Sequence, residues 1–209
     1  ISKMQPSDIV CYTDGSAEEG TTNGGAGSVI HLPSGEKVTL KAACGLHCSS
    51  YKAEMTAINT TLARMIDESQ RESEKPTHIW ILTDSLSSLQ KLERGPGFQA
   101  SILGEQIWAQ LQTIDRTGVP VSFQWIPSHK GIPGNEKADV AAGEARELPQ
   151  EEVPIDLTTS TCIIKRKIRE IWNTRLSKSP EYYKRTGGRP KTLPPNLTRK
   201  EEITLHQLR

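Results

Sequence analysis

The chain has 209 residues, 34% of them hydrophobic and only 5% aromatic, which allows one domain of ordinary size with an aliphatic core plus an appendage. Its net charge of +1 hides an asymmetry: residues 1–148 carry 13 Lys+Arg against 18 Asp+Glu, and residues 149–209 carry 13 against 7. No N-terminal apolar run points to secretion or a membrane span, and Cys11, Cys44, Cys48 and Cys162 lack the spacing of a disulfide framework, so an intracellular, reducing setting is expected.

In chain order, "DIVCYTD" (8–14) is a β-rich run closing on Asp-Gly, which places Asp14 at the carboxyl end of a first strand. "AGSVIHL" and "KVTLKAACG" flank the turn residues Pro33 to Glu36 and read as a hairpin, making the first three strands consecutive and antiparallel. From Ser50 to Ser69 the apolar residues Ala53, Ala57, Ile58, Leu62, Met65 and Ile66 recur at helical spacing, with Glu54 near the start. "HIWILTD" (78–84) has the continuous apolar character of a strand buried on both faces, and Asp84-Ser85 opens a helix over 86–93. "GPGF" breaks the chain, a helix follows from about Ala100 to Asp115, "VSFQWIP" makes a fifth strand, and Asn135 caps a helix running to Ala145. The order βββαβααβα describes an α/β domain with a five-stranded mixed sheet and flanking helices.

The domain is expected over residues 1–148, with a Pro-containing linker over 149–160 and a basic, mainly helical extension over 161–209. Within the extension, Ile163, Ile164, Ile168, Ile171, Trp172 and Leu176 share one face of an amphipathic helix whose other face is basic. Ser179-Pro180 can start a short helix, and Thr198 to Glu201 forms a capping box for a last one. The chain opens at Ile1 and reads as a segment of something longer.

Asp14, Glu54, Asp84 and Asp139 are the candidate chemical groups. Each has an ordinary local explanation as a turn residue, first-turn acid, N-cap or surface charge. Brought together by one fold they repel, and a cation is what makes such a cluster tolerable. Oxygen-only ligands suit Mg²⁺ or Mn²⁺, not zinc, and the one Cys/His grouping, "CGLHC" (44–48), lacks a second ligand pair. No nucleophile elbow, P-loop or dinucleotide fingerprint is present, which leaves phosphodiester chemistry.

"YTDGS" (12–16), "SSYKAE" (49–54), "ILTDS" (81–85) and "HKGIPGNEKAD" (129–139), in this order and spacing, resemble the ribonuclease H family over about residues 8–145. The closest resemblance is to the ribonuclease H domains of non-LTR retrotransposon polyproteins, which implies an upstream reverse transcriptase in the same polyprotein. The family resemblance implies hydrolysis of the RNA strand of RNA/DNA hybrids at two Mg²⁺ ions, with Mn²⁺ as a substitute, held by Asp14, Glu54, Asp84 and Asp139. Asp14 would bridge both ions, Asp139 would serve the one that activates water, and Glu54 and Asp84 the one at the departing 3′-oxygen.

By the same resemblance, His129 assists proton transfer or product release from a flexible loop, whose mobility Gly131 and Gly134 supply. Gly15, Ser16, Asn23, Ser50 and Tyr51 match the family's minor-groove positions, where the 2′-OH tells RNA from DNA. Asn135 joins them as a substrate-side residue besides capping the helix that presents Asp139. His47 and Ser49 fall near where relatives grip a DNA phosphate. The chain departs from the family in having Ser50 and Tyr51 where many members have Asn and Gln, and in lacking a basic insertion around "LERGPGFQ". A catalytically inactive module that binds or tethers hybrids is the alternative reading.

Overall fold

The computed structural model describes residues 4–70, 75–99 and 101–177. The short helix expected at Ser179 and the capping box at Thr198 lie outside these residues. The described residues divide into two units, one ending at Ile163 and one beginning at Ile164.

The first unit is built on five strands: β1 (Ile9–Glu18), β2 (Thr22–His31), β3 (Lys37–His47), β4 (Ile79–Thr83) and β5 (Val121–Trp125). Their order across the sheet is β3-β2-β1-β4-β5. The two hairpins make β1, β2 and β3 antiparallel, whereas β4 and β5 run parallel to β1. The parallel strands are reached through helical crossovers, as a parallel pair requires. These are α1 (Ser50–Ser69) before β4, and α2 (Leu86–Glu93), a 3₁₀ turn (Pro96–Phe98) and α3 (Ile102–Asp115) before β5.

Alternation along β1 assigns the two faces of the sheet. Cys11 points into a cluster with Met55, Ile58, Leu62 and Met65 of α1, Ile79 and Ile81 of β4, and Ile107 and Ile114 of α3. Tyr12 points the other way, against Gly134 of α4 (Pro133–Ala145). The main core is aliphatic apart from its sulfur-bearing side chains, and each fully buried Leu or Ile contributes roughly 1.5–3 kcal/mol.

The α4 face is built differently. Besides Gly134 and Asn135 in its first turn, its buried residues are Ala138, Ala141, Ala142 and Ala145, and these alanines lie on β2 at Gly25 and Gly27. A Cβ on Gly27 would stand 2.3 Å from both the Ala138 carbonyl oxygen and the Ala142 nitrogen. Small residues on both sides therefore seat α4 directly on the sheet.

Two boundaries, the end of β1 and the start of α4, differ from the sequence reading. Strand β1 continues four residues past Asp14, because the antiparallel ladder with β2 extends to Glu18. Asp14 instead lies just beyond Thr13, the last residue of β1 paired with β4. Helix α4 begins at Pro133, not at Asn135, in keeping with proline's fitness for a first helical turn.

The stretch expected as a linker carries structure. Main-chain N–H groups at the end of β3 find partners there: Gly45 donates to Gln150 Oε1 (2.9 Å) and Leu46 to the Glu151 carbonyl (3.1 Å). The Gln150 amide also donates to the carbonyls of Ala145 and Arg146 at the end of α4. Helix α5 (Leu157–Ser177) starts inside the expected linker, with Asp156 accepting from the Thr159 N–H at 2.9 Å.

In the second unit, Arg166 and Lys167 pair with Glu170 along the same helix. Ile164, Ile168, Ile171 and Trp172 are exposed.

Candidate active site

The site forms where β1 and β4 end their shared parallel ladder. β1 supplies Asp14, the residue after β4 supplies Asp84, and the first turns of α1 supply Glu54. Helix α1 enters here because Ser49 caps it, accepting from the Lys52 N–H, and because Gly15 leaves room: a Cβ on Gly15 would lie 2.1 Å from the Glu54 nitrogen. Carboxylate oxygens of Asp14, Glu54 and Asp84 consequently all lie within 4.8 Å of one another.

Such proximity has an electrostatic signature. Burial, then the charges of Asp84 and Asp139 and a hydrogen bond with Asp139, push Asp14 up to about 7. Burial, then Asp14 and Asp84, push Glu54 up to about 9. A Gly15 main-chain hydrogen bond opposes both shifts without cancelling them. Glu54 Oε2 is buried and has no partner, which costs free energy unless a ligand supplies one. An all-oxygen set with a buried, unpartnered acceptor fits a hard divalent cation.

Comparison with known proteins matches the same part of the chain. The family model described as RNase H matches residues 6–147. The chain belongs to the RNase H family. A ribonuclease H of Polaromonas naphthalenivorans is 27% identical over 154 residues, covering 68% of this chain and 89% of that protein. Those of Cupriavidus pinatubonensis and Cupriavidus necator are each 25% identical and are covered over 92% and 96% of their lengths. The family match thus corresponds to the sheet domain, and the chain is an enzyme of the ribonuclease H type.

The remaining expected residues of this RNase H domain occupy distinct places. Asp139 lies on α4, outside the trio within 4.8 Å but near enough to Asp14 to share a hydrogen bond with it. His129 is exposed on the turn between β5 and α4, with φ of 50°, and Gly131 has φ of 71°. Gly134, expected to lend that loop mobility, instead sits in the first turn of α4, where a Cβ would meet the Tyr12 ring at 2.3 Å. Asn135 is buried in the same turn and is not the cap. Its Nδ2 donates to Asp84 Oδ2 at 3.3 Å, and its buried Oδ1 has no partner.

Of the expected substrate-side residues, Gly15 and Ser16 follow Asp14 on β1 and Ser50 opens α1 exposed. Asn23, with φ of 44°, donates to Glu18 Oε2 at 2.6 Å across the β1–β2 turn. Tyr51 packs against the main core. Ser49 is buried and bonded to Thr159 besides capping α1, so its hydroxyl is not presented to a phosphate. His47 is exposed at the end of β3.

Sequence reasoning passed over Trp125. Its indole Nε1 donates to the Asp84 carbonyl at 3.1 Å, yet the side chain is 44% exposed. The available signal was its place at the end of the strand that follows Asp84's in the parallel ladder.

Proposed function

We propose that this chain hydrolyses the RNA strand of RNA/DNA hybrids with two divalent cations, Mg²⁺ by preference and Mn²⁺ as a substitute, held by Asp14, Glu54, Asp84 and Asp139. One observation carries the reading: three carboxylates converge within 4.8 Å, and the unpartnered Glu54 Oε2 is among their oxygens. Bound there, the cations would supply activation of the attacking water and stabilisation of the departing 3′-oxygen. The chain's own residues do the rest. Asn135 holds the Asp84 carboxylate through Nδ2, and Gly15 admits α1 so that Glu54 reaches the cluster. His129, exposed on its turn, takes up or delivers a proton at the phosphate. Gly15, Ser16, Asn23 and Ser50 make up the side facing the substrate, with Tyr51, packed on the core, and the buried Asn135 supporting it from behind.

Hybrid, duplex DNA and duplex RNA of one sequence, offered side by side with Mg²⁺, test this. Cutting of the RNA strand in the hybrid alone, lost in Asp14→Asn, is expected; cutting of duplex DNA, or activity surviving the substitution, would refute it.

We also propose that the chain acts inside the cell beside a reverse transcriptase of the same polyprotein, as in non-LTR retrotransposons. The tail sequences "SPEYYKR" (179–185) and "LTRKEEITLHQLR" (197–209), within a basic extension beyond the matched family region, support this. An encoding frame with a polymerase's paired aspartates upstream is expected; a start codon directly before Ile1 would contradict it.

A further inference from the structure

Trp125 has an uncommon position. Its register partner is Thr83, so its backbone lies level with the residue before Asp84. The indole N–H is spent on the Asp84 carbonyl, which fixes the edge of the ring against the residue that carries a site carboxylate. Its polar function satisfied, the ring still leaves 44% of the residue open to solvent, while Trp80 and Trp108 of the same unit are more buried. Two residues beyond Trp125 the chain enters the turn that bears His129, and then the helix bearing Asn135 and Asp139. A large apolar surface, tied by a hydrogen bond to the residue that carries a site carboxylate and left uncovered beside it, suits an aromatic contact with a nucleotide.

We propose that the exposed face of Trp125 packs on a ribose of the RNA strand beside the phosphate being cut. In a duplex the bases are stacked inward, whereas the sugars line the minor groove with their 2′-hydroxyls, so a sugar is the surface available to an aromatic face at the cleavage point. Trp125 is then a substrate-contacting residue that sets affinity and register, distinct from the carboxylates that set the chemistry. The inference rests on the hybrid being the substrate.

The test combines fluorescence and kinetics on the full chain. In an Asp14→Asn, Trp172→Phe background, which leaves the hybrid uncut and removes the exposed tryptophan of α5, titration with hybrid is expected to change tryptophan emission, and adding Trp125→Phe is expected to abolish that change. Duplex DNA of the same sequence should produce little change. In the otherwise wild-type chain, Trp125→Ala should raise KM for the hybrid roughly fivefold or more with kcat within about threefold, fivefold being the low end for removing a base-stacking partner. Trp125→Phe, which keeps an aromatic face but loses the bond to Asp84, should recover most of the affinity. An emission change that persists in Trp125→Phe would overturn the proposal. So would a loss confined to kcat and equal in the two variants, which would make Trp125 a positioning residue acting through Asp84. If the wild-type chain does not cut the hybrid at all, the underlying substrate reading fails instead.

Discussion

Asp14 and Glu54 keep their protons near neutral pH because each is buried beside other carboxylates, and this links the site to stability. In a free chain these groups lose their protons near 3.8 and 4.5, but in the fold only near 7 and 9. The folded form therefore holds more protons across that interval. The stabilising contribution is full below about 4 and is lost as pH rises through 7 and towards 9. Thermal unfolding in chelator should show a midpoint that falls between pH 5 and pH 8, and Mg²⁺ should reduce the fall by replacing the protons; a midpoint that rises with pH under chelation would contradict the cluster's charge state. His129 belongs to a different class. It lies outside the carboxylate group on an exposed turn, so His129→Ala should lower kcat by roughly 10²–10⁴-fold, the range for loss of a proton-transfer group. Calorimetry should show its divalent-ion binding unchanged, and loss of that binding would place the residue among the ligands. At this scale the carboxylates were legible because each lies in a short recognisable motif, although Asp14 stands where β1 stops pairing with β4 and not at the end of the strand, and Asp139 lies mid-way along α4. The bond from Asn135 to Asp84 was not, since the two are 51 residues apart and local pattern made Asn135 a cap.

Among the elements, α4 is the one whose placement depends most on missing side chains. Gly27→Ala would force a Cβ into the helix backbone at Ala138 and Ala142, and α4 would have to move outward with Asp139. Overpacking of this kind costs about 1–3 kcal/mol. Urea unfolding should register that loss, and hybrid cleavage should fall with it; wild-type stability and activity together would show that α4 yields without consequence. Helix α1 was readable to both of its ends, Ser50 and Ser69, from its apolar spacing, and the structure adds the Ser49 cap. The extent of β1 was not readable, since its last residues are held by pairing with β2 and not by an apolar pattern of their own. The start of α5 within the expected linker was equally hidden. Its prolines suggested a tether, while the N–H groups at the end of β3 that bind Gln150 and Glu151 lie about a hundred residues upstream.

For the whole molecule, the charge asymmetry has a structural counterpart. The acidic domain carries the carboxylate site, and the basic surplus lies in the extension that begins with α5. An acidic domain that must meet a polyanion gains from cations supplied elsewhere in the chain. Replacing Lys165, Arg166, Lys167 and Arg169 by Gln should weaken hybrid binding and flatten its dependence on salt by about one unit of slope for each phosphate no longer neutralised. Binding unchanged at low salt would remove the extension from substrate grip. The antiparallel run of the first three strands and the mixed character of the sheet followed from hairpin signals and crossover helices, whereas the order of the strands across the sheet was not read. The architecture was thus legible where connections were local. The pairing of β3 with residues beyond the matched family region was not.

The measurement that bears most directly on the site is end-group analysis of an end-labelled RNA/DNA hybrid incubated with the chain in Mg²⁺ and in chelator. If the converging carboxylates hold divalent ions as proposed, internal cuts in the RNA strand that leave 5′-phosphate and 3′-hydroxyl ends are expected only in Mg²⁺. Cuts that persist in chelator, or ends carrying a 2′,3′-cyclic phosphate, would contradict it.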